Sequence, residues 1–192
     1  MGPRLLIIDP SDDYESPEIS LDVALQEALT LTDHDPFTWR IVPDFDKDYD
    51  YIFRFALAIE NVTVIAEEVS DYSGNEHFRR LLRRGRSKGI RVISVAQRPA
   101  EVHKTICSQS ALIIAFYTDE PRDLIYIQDR FGTQAMDEVK SLKKDDYECS
   151  VWGDLKIWDH DFDTYAPYPT LKPIERKAGD THGSDSESAV SG

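Results

Sequence analysis

Two glutamates and a glutamine stand where apolar segments of the sequence end. Glu67 and Glu68 directly follow the apolar run at residues 62–66, and Gln97 follows the run at 91–96. Paired carboxylates at a strand end can divide two tasks, since one can hold Mg²⁺ while the other polarises an attacking water. A side-chain amide can donate to a phosphate oxygen and accept from a water. The three side chains therefore predict a site for phosphate chemistry. The alternatives are acids that merely end a strand near solvent and a glutamine that merely begins the turn before Arg98-Pro99.

A run of basic residues separates these two apolar segments. Six of the ten residues from 79 to 88 are Arg or Lys, although the chain has a formal net charge of -14. Four of the arginines form two pairs four residues apart, which places them on the polar face of one helix. Because guanidinium matches the geometry of phosphate, the run predicts a contact with DNA or with a neighbouring subunit, against a solvated basic face as the alternative. The residues concerned are Arg79, Arg80, Arg83, Arg84 and Lys88.

The order of apolar patterns predicts the fold that must position these groups. Unbroken apolar runs predict strands at residues 4–9, 37–42, 62–66, 91–96 and 111–117. Helical spacing predicts helices at residues 20–31, 47–60, 75–87, 100–108 and 133–142, with another that opens at Glu120-Pro121. Short β segments at 148–152 and 155–158 predict a hairpin at Gly153-Asp154. The alternation indicates an α/β domain of three layers on a mainly parallel sheet.

The carboxyl ends of parallel strands form the crevice in which open α/β sheets bind ligands. Asp9 follows the first predicted strand and therefore joins Glu67, Glu68 and Gln97 at this edge. Asp9 and the two glutamates around Mg²⁺ would also suit a nuclease or a resolvase-like fold. The sequence has neither a PD-(D/E)xK spacing nor a well-placed serine nucleophile to support that alternative.

Length and composition limit the classes of protein to consider. The 192 residues predict one domain over residues 1–173 and a disordered polar tail over 174–192. The excess of acidic residues, 36 against 22 Lys and Arg, argues against a large nucleic-acid surface but leaves room for a local one. The two cysteines lack CxxC or metal-type spacing, which predicts a reduced, cytoplasmic chain. The longest apolar run, at 111–117, is too short to cross a bilayer, so membrane insertion is not expected.

Three blocks of the sequence follow one another in the order of a known family. VTVIAEEVSDY, LLRRGRSKGIRVISVAQRP and ICSQSALIIAFYTDEPRDLIYIQDRFG resemble the second half of the HerA/FtsK superfamily of P-loop ATPases, especially its viral genome-packaging, Zot-like and conjugative members. The opening RLLIIDPSDDY is similar to the strand that follows the P-loop helix in that family. The resemblance covers residues 4–143. It implies a RecA-like core that forms rings, usually hexamers, and drives DNA translocation by ATP hydrolysis.

The resemblance also implies roles for individual residues. Glu67 corresponds to the Walker B carboxylate that serves Mg²⁺, and Glu68 corresponds to the catalytic glutamate. Gln97 corresponds to the sensor glutamine at the end of the following strand. Asp9 is the cofactor-binding candidate because of its place at the end of the first predicted strand, at the edge that would receive ATP. Arg86, just before the Lys-Gly turn, corresponds to the arginine that reaches the nucleotide of an adjacent subunit, with the arginines at 83 and 84 as alternatives.

The chain departs from the family at the phosphate-binding loop. No GxxxxGK[ST] occurs in the 192 residues, so the backbone donors and the lysine that hold the β-phosphate are not in this sequence. The expected fold is therefore a RecA-like core that lacks the P-loop strand and helix, truncated at the amino end. ATP and Mg²⁺ are expected only if a P-loop from elsewhere completes the site.

Two functions follow from this departure. The chain is either the carboxyl-terminal part of a DNA-translocating or packaging ATPase, or a noncatalytic module that binds DNA or an active ATPase partner. The expected partners are copies of the chain in a ring or a P-loop-containing subunit, with DNA as a further possibility. The expected location is the cytoplasm, which for a viral protein means the host cytoplasm or the virion.

Overall fold

Strands and helices alternate along the chain, as the apolar patterns predict. The computed structural model describes residues 4–14, 17–32, 35–144 and 148–153. The strands are β1 (Arg4–Ile8), β2 (Phe37–Ile41), β3 (Thr63–Ala66), β4 (Arg91–Ser94), β5 (Leu112–Phe116) and β6 (Cys149–Gly153). The helices are α1 (Leu21–Ala28), α2 (Asp46–Ile59), α3 (Val69–Tyr72), α4 (Glu76–Arg84), α5 (Lys104–Gln109), α6 (Pro121–Phe131) and α7 (Thr133–Ser141). Short 3₁₀ turns occupy Arg86–Lys88 and Pro99–Glu101.

Four of the strands form one parallel sheet in the order β2-β1-β3-β4. In its centre, Leu6 of β1 lies between Trp39 of β2 and Val64 of β3. The connections β2 to β3 and β3 to β4 run in the same direction across the sheet, so right-handed crossovers place α2 and α4 on the same face. The two helices contact each other through Phe53 and Phe78, whose ring centroids are 4.8 Å apart. The predicted α/β fold with a mainly parallel sheet is therefore confirmed.

An aromatic cluster joins α2, α3 and α4 beneath the end of β3. Tyr72 of α3 stacks on Tyr49 of α2 at 4.4 Å and contacts the buried rings of Phe53 and Phe78. Its hydroxyl donates to the backbone carbonyl of Glu67. Burial is the main cause that raises the pKa of Tyr72 far above its usual value, so the phenol stays neutral and keeps this hydrogen bond. The core thereby holds the end of β3 in place.

The strand predicted at 111–117 forms as β5, but it lies outside the parallel sheet. It pairs antiparallel with β6, and this pair packs on α6 and α7 through contacts such as the stacked rings of Phe131 and Trp152. The predicted hairpin at 148–158 can be compared only in its first strand, because residues 155–158 lie outside the described residues, as does the predicted tail at 174–192. The domain boundary at residue 173 stays a prediction.

The helix predicted at 100–108 is divided in two. A 3₁₀ turn follows Arg98, and the chain then becomes extended at Val102 and His103. The His103 side chain accepts a hydrogen bond from the backbone of Thr105 and so begins α5. The short helix α3 had no counterpart among the predicted elements, because four residues are too few to show a helical period.

A glycine turn aligns β4 with its neighbours. Gly89 has a φ of 68°, and a Cβ at this position would lie 2.1 Å from Oδ1 of Asn61. The backbone amide of Asn61 donates to the backbone carbonyl of Lys88 at 2.9 Å, which joins this turn to the segment that leads into β3. The chain can therefore leave α4 and enter β4 beside β3 only through a left-handed residue without a side chain.

We expect Gly89→Ala to lower the free energy of unfolding by about 1–2 kcal/mol, because a non-glycine residue is strained in the left-handed region. The measurement is urea denaturation followed by circular dichroism. Gly74→Ala is the matched control, since Gly74 has no positive φ and a Cβ there would meet nothing within 4 Å. Equal effects of the two substitutions would contradict this account of the turn.

Candidate functional site

Four polar residues predicted for the site meet at one edge of the sheet. The pairing of β1, β3 and β4 continues beyond the strands, because the amide of Glu67 donates to the carbonyl of Ile8 at 3.1 Å and the amide of Val95 donates to that of Ala66 at 2.9 Å. These bonds place Glu67 beside the end of β1 and bring the segment after β4 beside the end of β3. The expected convergence at the carboxyl edge is present.

Glu68 and Gln97 are joined by a hydrogen bond. Nε2 of Gln97 donates to Oε1 of Glu68 across the ends of β3 and β4. Glu68 has φ 48° and ψ 45°, a left-handed conformation that non-glycine residues seldom adopt and that is enriched at functional sites. The sequence predicts both residues at this edge, but it has no signal for the left-handed backbone of a glutamate. That backbone directs the chain from β3 straight into α3.

Glu67 receives a hydrogen bond from a residue that the sequence did not single out. The hydroxyl of Tyr14 donates to Oε1 of Glu67. This hydrogen bond, followed by burial, raises the pKa of Tyr14 to about 12. The phenol therefore remains a donor at neutral pH and holds one carboxylate oxygen of Glu67, while the other oxygen has no hydrogen bond within the described part of the chain.

Asp9 is buried and is surrounded by donors from the protein itself. It accepts hydrogen bonds from the backbone amides of Asp13 and Tyr14 and from Nη1 of Arg40, each at 3.1 Å. Burial raises the pKa of Asp9, but these three hydrogen bonds outweigh it and hold the pKa below its usual value. Asp9 thus shapes the loop that carries Tyr14 to Glu67. Its cofactor-binding role stays a prediction.

Arg40 completes the Asp9 network from β2. It is 7% exposed and also forms an ion pair with Asp12. An arginine inside the apolar segment FTWRI is a sequence signal for a buried ion pair, because a buried guanidinium requires an anionic partner. Its partner could not be identified before β1 and β2 were known to be neighbours.

A second buried carboxylate fixes the loop after Gln97. Asp123 of α6 is 1% exposed and accepts from Nε of Arg98 at 2.9 Å and from the backbone amide of Ala100 at 3.0 Å. The Arg98-Pro99 turn is therefore anchored to α6. The sequence predicts the turn, but Asp123 in the first turn of α6 resembles an ordinary acid near a helix start.

The basic run lies on α4 and on the turn that follows it. Glu76 forms ion pairs with Arg79 at 2.8 Å and with Arg83 at 2.9 Å. Since α4 runs opposite to the strands that it connects, its last residues lie near the amino edge of the sheet. The nine residues of α4 span about 13 Å at 1.5 Å per residue. Arg86, which follows the helix, is therefore at the far end of the layer from Glu68, and the chain does not bring these two predicted residues together.

The donor set at the carboxyl edge limits the metal that it can hold. Within the residues that the structure describes, no group of three or more His, Cys, Asp or Glu side chains converges as a metal site. Mg²⁺ in nucleotide sites typically takes one or two carboxylates and completes its shell with phosphates and waters. Glu67 and Glu68 fit that requirement. No described helix has the length and apolar character needed to cross a bilayer.

The fold matches that of solved viral packaging proteins. The chain is similar to the genome packaging NTPase B204 from Sulfolobus turreted icosahedral virus 2, solved with AMPPCP, at 18% identity over 80% of this chain and 84% of that chain, with a TM-score of 0.61. The same protein solved with AMP gives 19% identity over 79% and 77% of the two chains and a TM-score of 0.64. B204, the DNA-packaging ATPase from Sulfolobus Turreted Icosahedral Virus, gives 20% identity over 78% and 82% and a TM-score of 0.57.

These similarities bear on the fold that the sequence predicts. They confirm the RecA-like α/β architecture that the sequence blocks implied. No protein-family model matches the chain, and no curated protein matches it.

We expect Asp9→Asn to lower the free energy of unfolding at pH 7 by about 1.5–3 kcal/mol, the usual contribution of a hydrogen bond to a charged group. The pKa of Asp9 is lowered by folding, so its stabilisation is full above the unfolded value of about 3.9 and is lost as the pH falls through the folded value. The difference between variant and wild type should therefore shrink below pH 4.

Urea denaturation at several pH values measures this difference. Asp137→Asn, at an exposed position of α7, is the control. A difference for Asp9→Asn that stays constant from pH 7 to pH 3 would show that the carboxylate charge is not what holds the loop.

Proposed function

We propose that the chain is a subunit of an ATPase of the genome-packaging kind and that it contributes the half of the ATP site that binds Mg²⁺ and orients the attacking water. The main observation behind this proposal is the pair formed by Glu68 and Gln97 at adjacent strand ends, next to Glu67. The fold shared with packaging NTPases that were solved with AMP and ATP analogues supports it.

Each residue at this edge has a chemical role in the proposal. Bound Mg²⁺ would neutralise phosphate charge, and Glu67 would hold it through the carboxylate oxygen that Tyr14 leaves open. Glu68 would accept a proton from the attacking water or orient it. The amide of Gln97 has a second N–H that can donate to a phosphate oxygen while the first stays on Glu68. Movement of this amide would couple the phosphate to the loop that Asp123 anchors.

The outer edge of β4 supports the view that another strand completes the site. Arg91 and Val95 donate to the neighbouring strand β3, so the intervening peptide groups of Val92 and Ser94 face away from it. In the described part of the chain, no strand pairs with this outer edge, and β5 pairs only with β6. Ile93 is 44% exposed, an unusual value for an apolar side chain of a parallel sheet. A parallel strand that leads into a glycine-rich phosphate loop would cover this edge and place its loop beside Gln97.

Arg86 has its role in a neighbouring subunit under this proposal. It cannot serve the carboxyl edge of its own chain, because it lies at the opposite end of the sheet. A head-to-tail ring joins two different surfaces of each copy, so under this proposal that end of one copy would face the carboxyl edge of the next. An arginine supplied in this way stabilises charge on the transferred phosphoryl group.

We expect Glu68→Gln to lower kcat for ATP hydrolysis by about 10²–10⁴-fold, the usual contribution of a general base, with little change in nucleotide affinity. The chain is co-expressed with the polypeptide that carries the nearest GxxxxGK[ST], in frame upstream or in a neighbouring gene. ATP turnover and binding of a labelled nucleotide are then measured on the purified assembly.

Glu101→Gln is the matched control, because Glu101 is exposed in the 3₁₀ turn just beyond the loop. Equal kcat values for the two variants would contradict the catalytic role and would favour a noncatalytic module that binds DNA or an active ATPase. Absence of ATP hydrolysis by the wild-type assembly would contradict the proposed function as a whole.

A further inference from the structure

A shallow groove with basic walls runs between α2 and α4. Arg54 and Leu57 line it from α2, Arg80 and Arg84 line it from α4, and Lys88 lies at its end. Arg80 and Arg84 also border an adjoining depression, which Glu76 and Arg83 line with them. The three arginines are exposed, while Leu57 packs against the core. We call these lining residues the α2–α4 groove.

The cations near this groove differ in whether a carboxylate of the protein forms an ion pair with them. Glu76 pairs with Arg79 and Arg83, and Glu60 pairs with Lys88. In contrast, no carboxylate among the described residues lies within ion-pair distance of the three groove arginines, at positions 54, 80 and 84. The unpaired guanidinium groups therefore come from two helices and face one opening.

This difference matters because acids are abundant in the chain. It has 36 Asp and Glu against 22 Lys and Arg, so the chain has more than enough carboxylates to pair with every arginine. Like charges on neighbouring helix turns destabilise a helix slightly, as at Arg80 and Arg84. Such an arrangement is favourable when an external polyanion supplies the counter-charge.

We infer that the α2–α4 groove binds the phosphate backbone of DNA. Residues four apart on a helix have Cβ atoms about 5–6 Å apart, and the axes of packed helices lie about 8–10 Å apart. Arg80 and Arg84 can therefore contact successive phosphates while Arg54 approaches the same strand from the other wall. Guanidinium binds phosphate through paired hydrogen bonds, and such contacts carry no base sequence information.

The binding is local and does not require the whole surface to be basic. At physiological salt, charges are screened beyond about 8 Å. The acidic remainder of the chain therefore lowers the attraction of the groove for phosphate less than the net charge suggests. The inference deepens the proposed function, because it identifies where a translocated DNA would touch this subunit. It places DNA on the helical face, away from the carboxyl edge that would hold the nucleotide.

The test compares two double variants of α4 with the same change in net charge. Arg80→Gln with Arg84→Gln removes two unpaired groove arginines, and Arg79→Gln with Arg83→Gln removes the two that form ion pairs with Glu76. Binding of a fluorescent 30-base-pair duplex to the full chain is measured without nucleotide across a salt series. A single strand of the same length is a second probe.

We expect the groove pair to lose binding and to reduce the slope of log affinity against log salt by roughly 1.8, or 0.9 for each lost phosphate contact on duplex DNA. Arg54→Gln alone should reduce the slope by roughly 0.9. The Glu76-paired variant should change the slope by less than either. Equal losses for the two double variants would show a net-charge effect and overturn the inference, as would failure of the wild-type chain to bind either probe.

The oligomeric state of the DNA-free protein distinguishes DNA binding from the alternative that the groove arginines form a contact between subunits. Sedimentation velocity of the wild type and of the groove variant should give the same oligomeric state. If the groove variant dissociates an oligomer, the arginines are subunit contacts and the inference is overturned. Because DNA binding is measured without nucleotide, its loss does not depend on whether the assembly hydrolyses ATP, and the two proposals can fail separately.

Discussion

Parallel pairing of β1, β3 and β4 is the constraint on which the site depends. In a parallel sheet, all strands end at the same edge, so residues that follow three different strands come together without any direct sequence relation. The hydrogen bonds that continue the pairing to Glu67 and Val95 set the register at that edge. A shift of one residue in the register of β3 would move the side chains of Glu67 and Glu68 each to the other face of the sheet. Glu68 would then be separated from Gln97.

Ion pairs to buried carboxylates then hold the loops that leave this edge. Asp9 with Arg40 fixes the loop after β1, and Asp123 with Arg98 fixes the loop after β4. Arg98 is 40% exposed, but the carboxylate of each pair is 1% exposed, and removal of the partner of a buried charge is strongly destabilising. Their presence at two of the three strand ends suits a site in which positions matter more than overall stability. Tyr72 does the same for β3 with a hydrogen bond from the aromatic core.

The distribution of charge separates the surface into regions with different chemistry. Carboxylates gather at the carboxyl edge, whereas the unpaired arginines lie between α2 and α4. These arginines cannot form ion pairs with the carboxylates at that edge of the same chain, because the basic end of α4 lies away from the carboxyl edge. The proposed ATP site and the inferred DNA groove therefore occupy separate surfaces of the chain, which would let DNA and nucleotide bind at the same time.

Chain order and apolar periodicity determined which segments are strands and helices and which residues follow each strand. These are local properties, and they were sufficient to predict Glu67, Glu68 and Gln97 at one edge. Only the tertiary structure decided the neighbours: β5 pairs with β6, Tyr14 contacts Glu67 across 53 residues, Arg40 contacts Asp9 across 31, and Arg98 contacts Asp123 across 25. It also decided which arginines form ion pairs with Glu76. Such contacts depend on how strands order in the sheet and how helices pack on it, and a one-dimensional pattern does not carry that information.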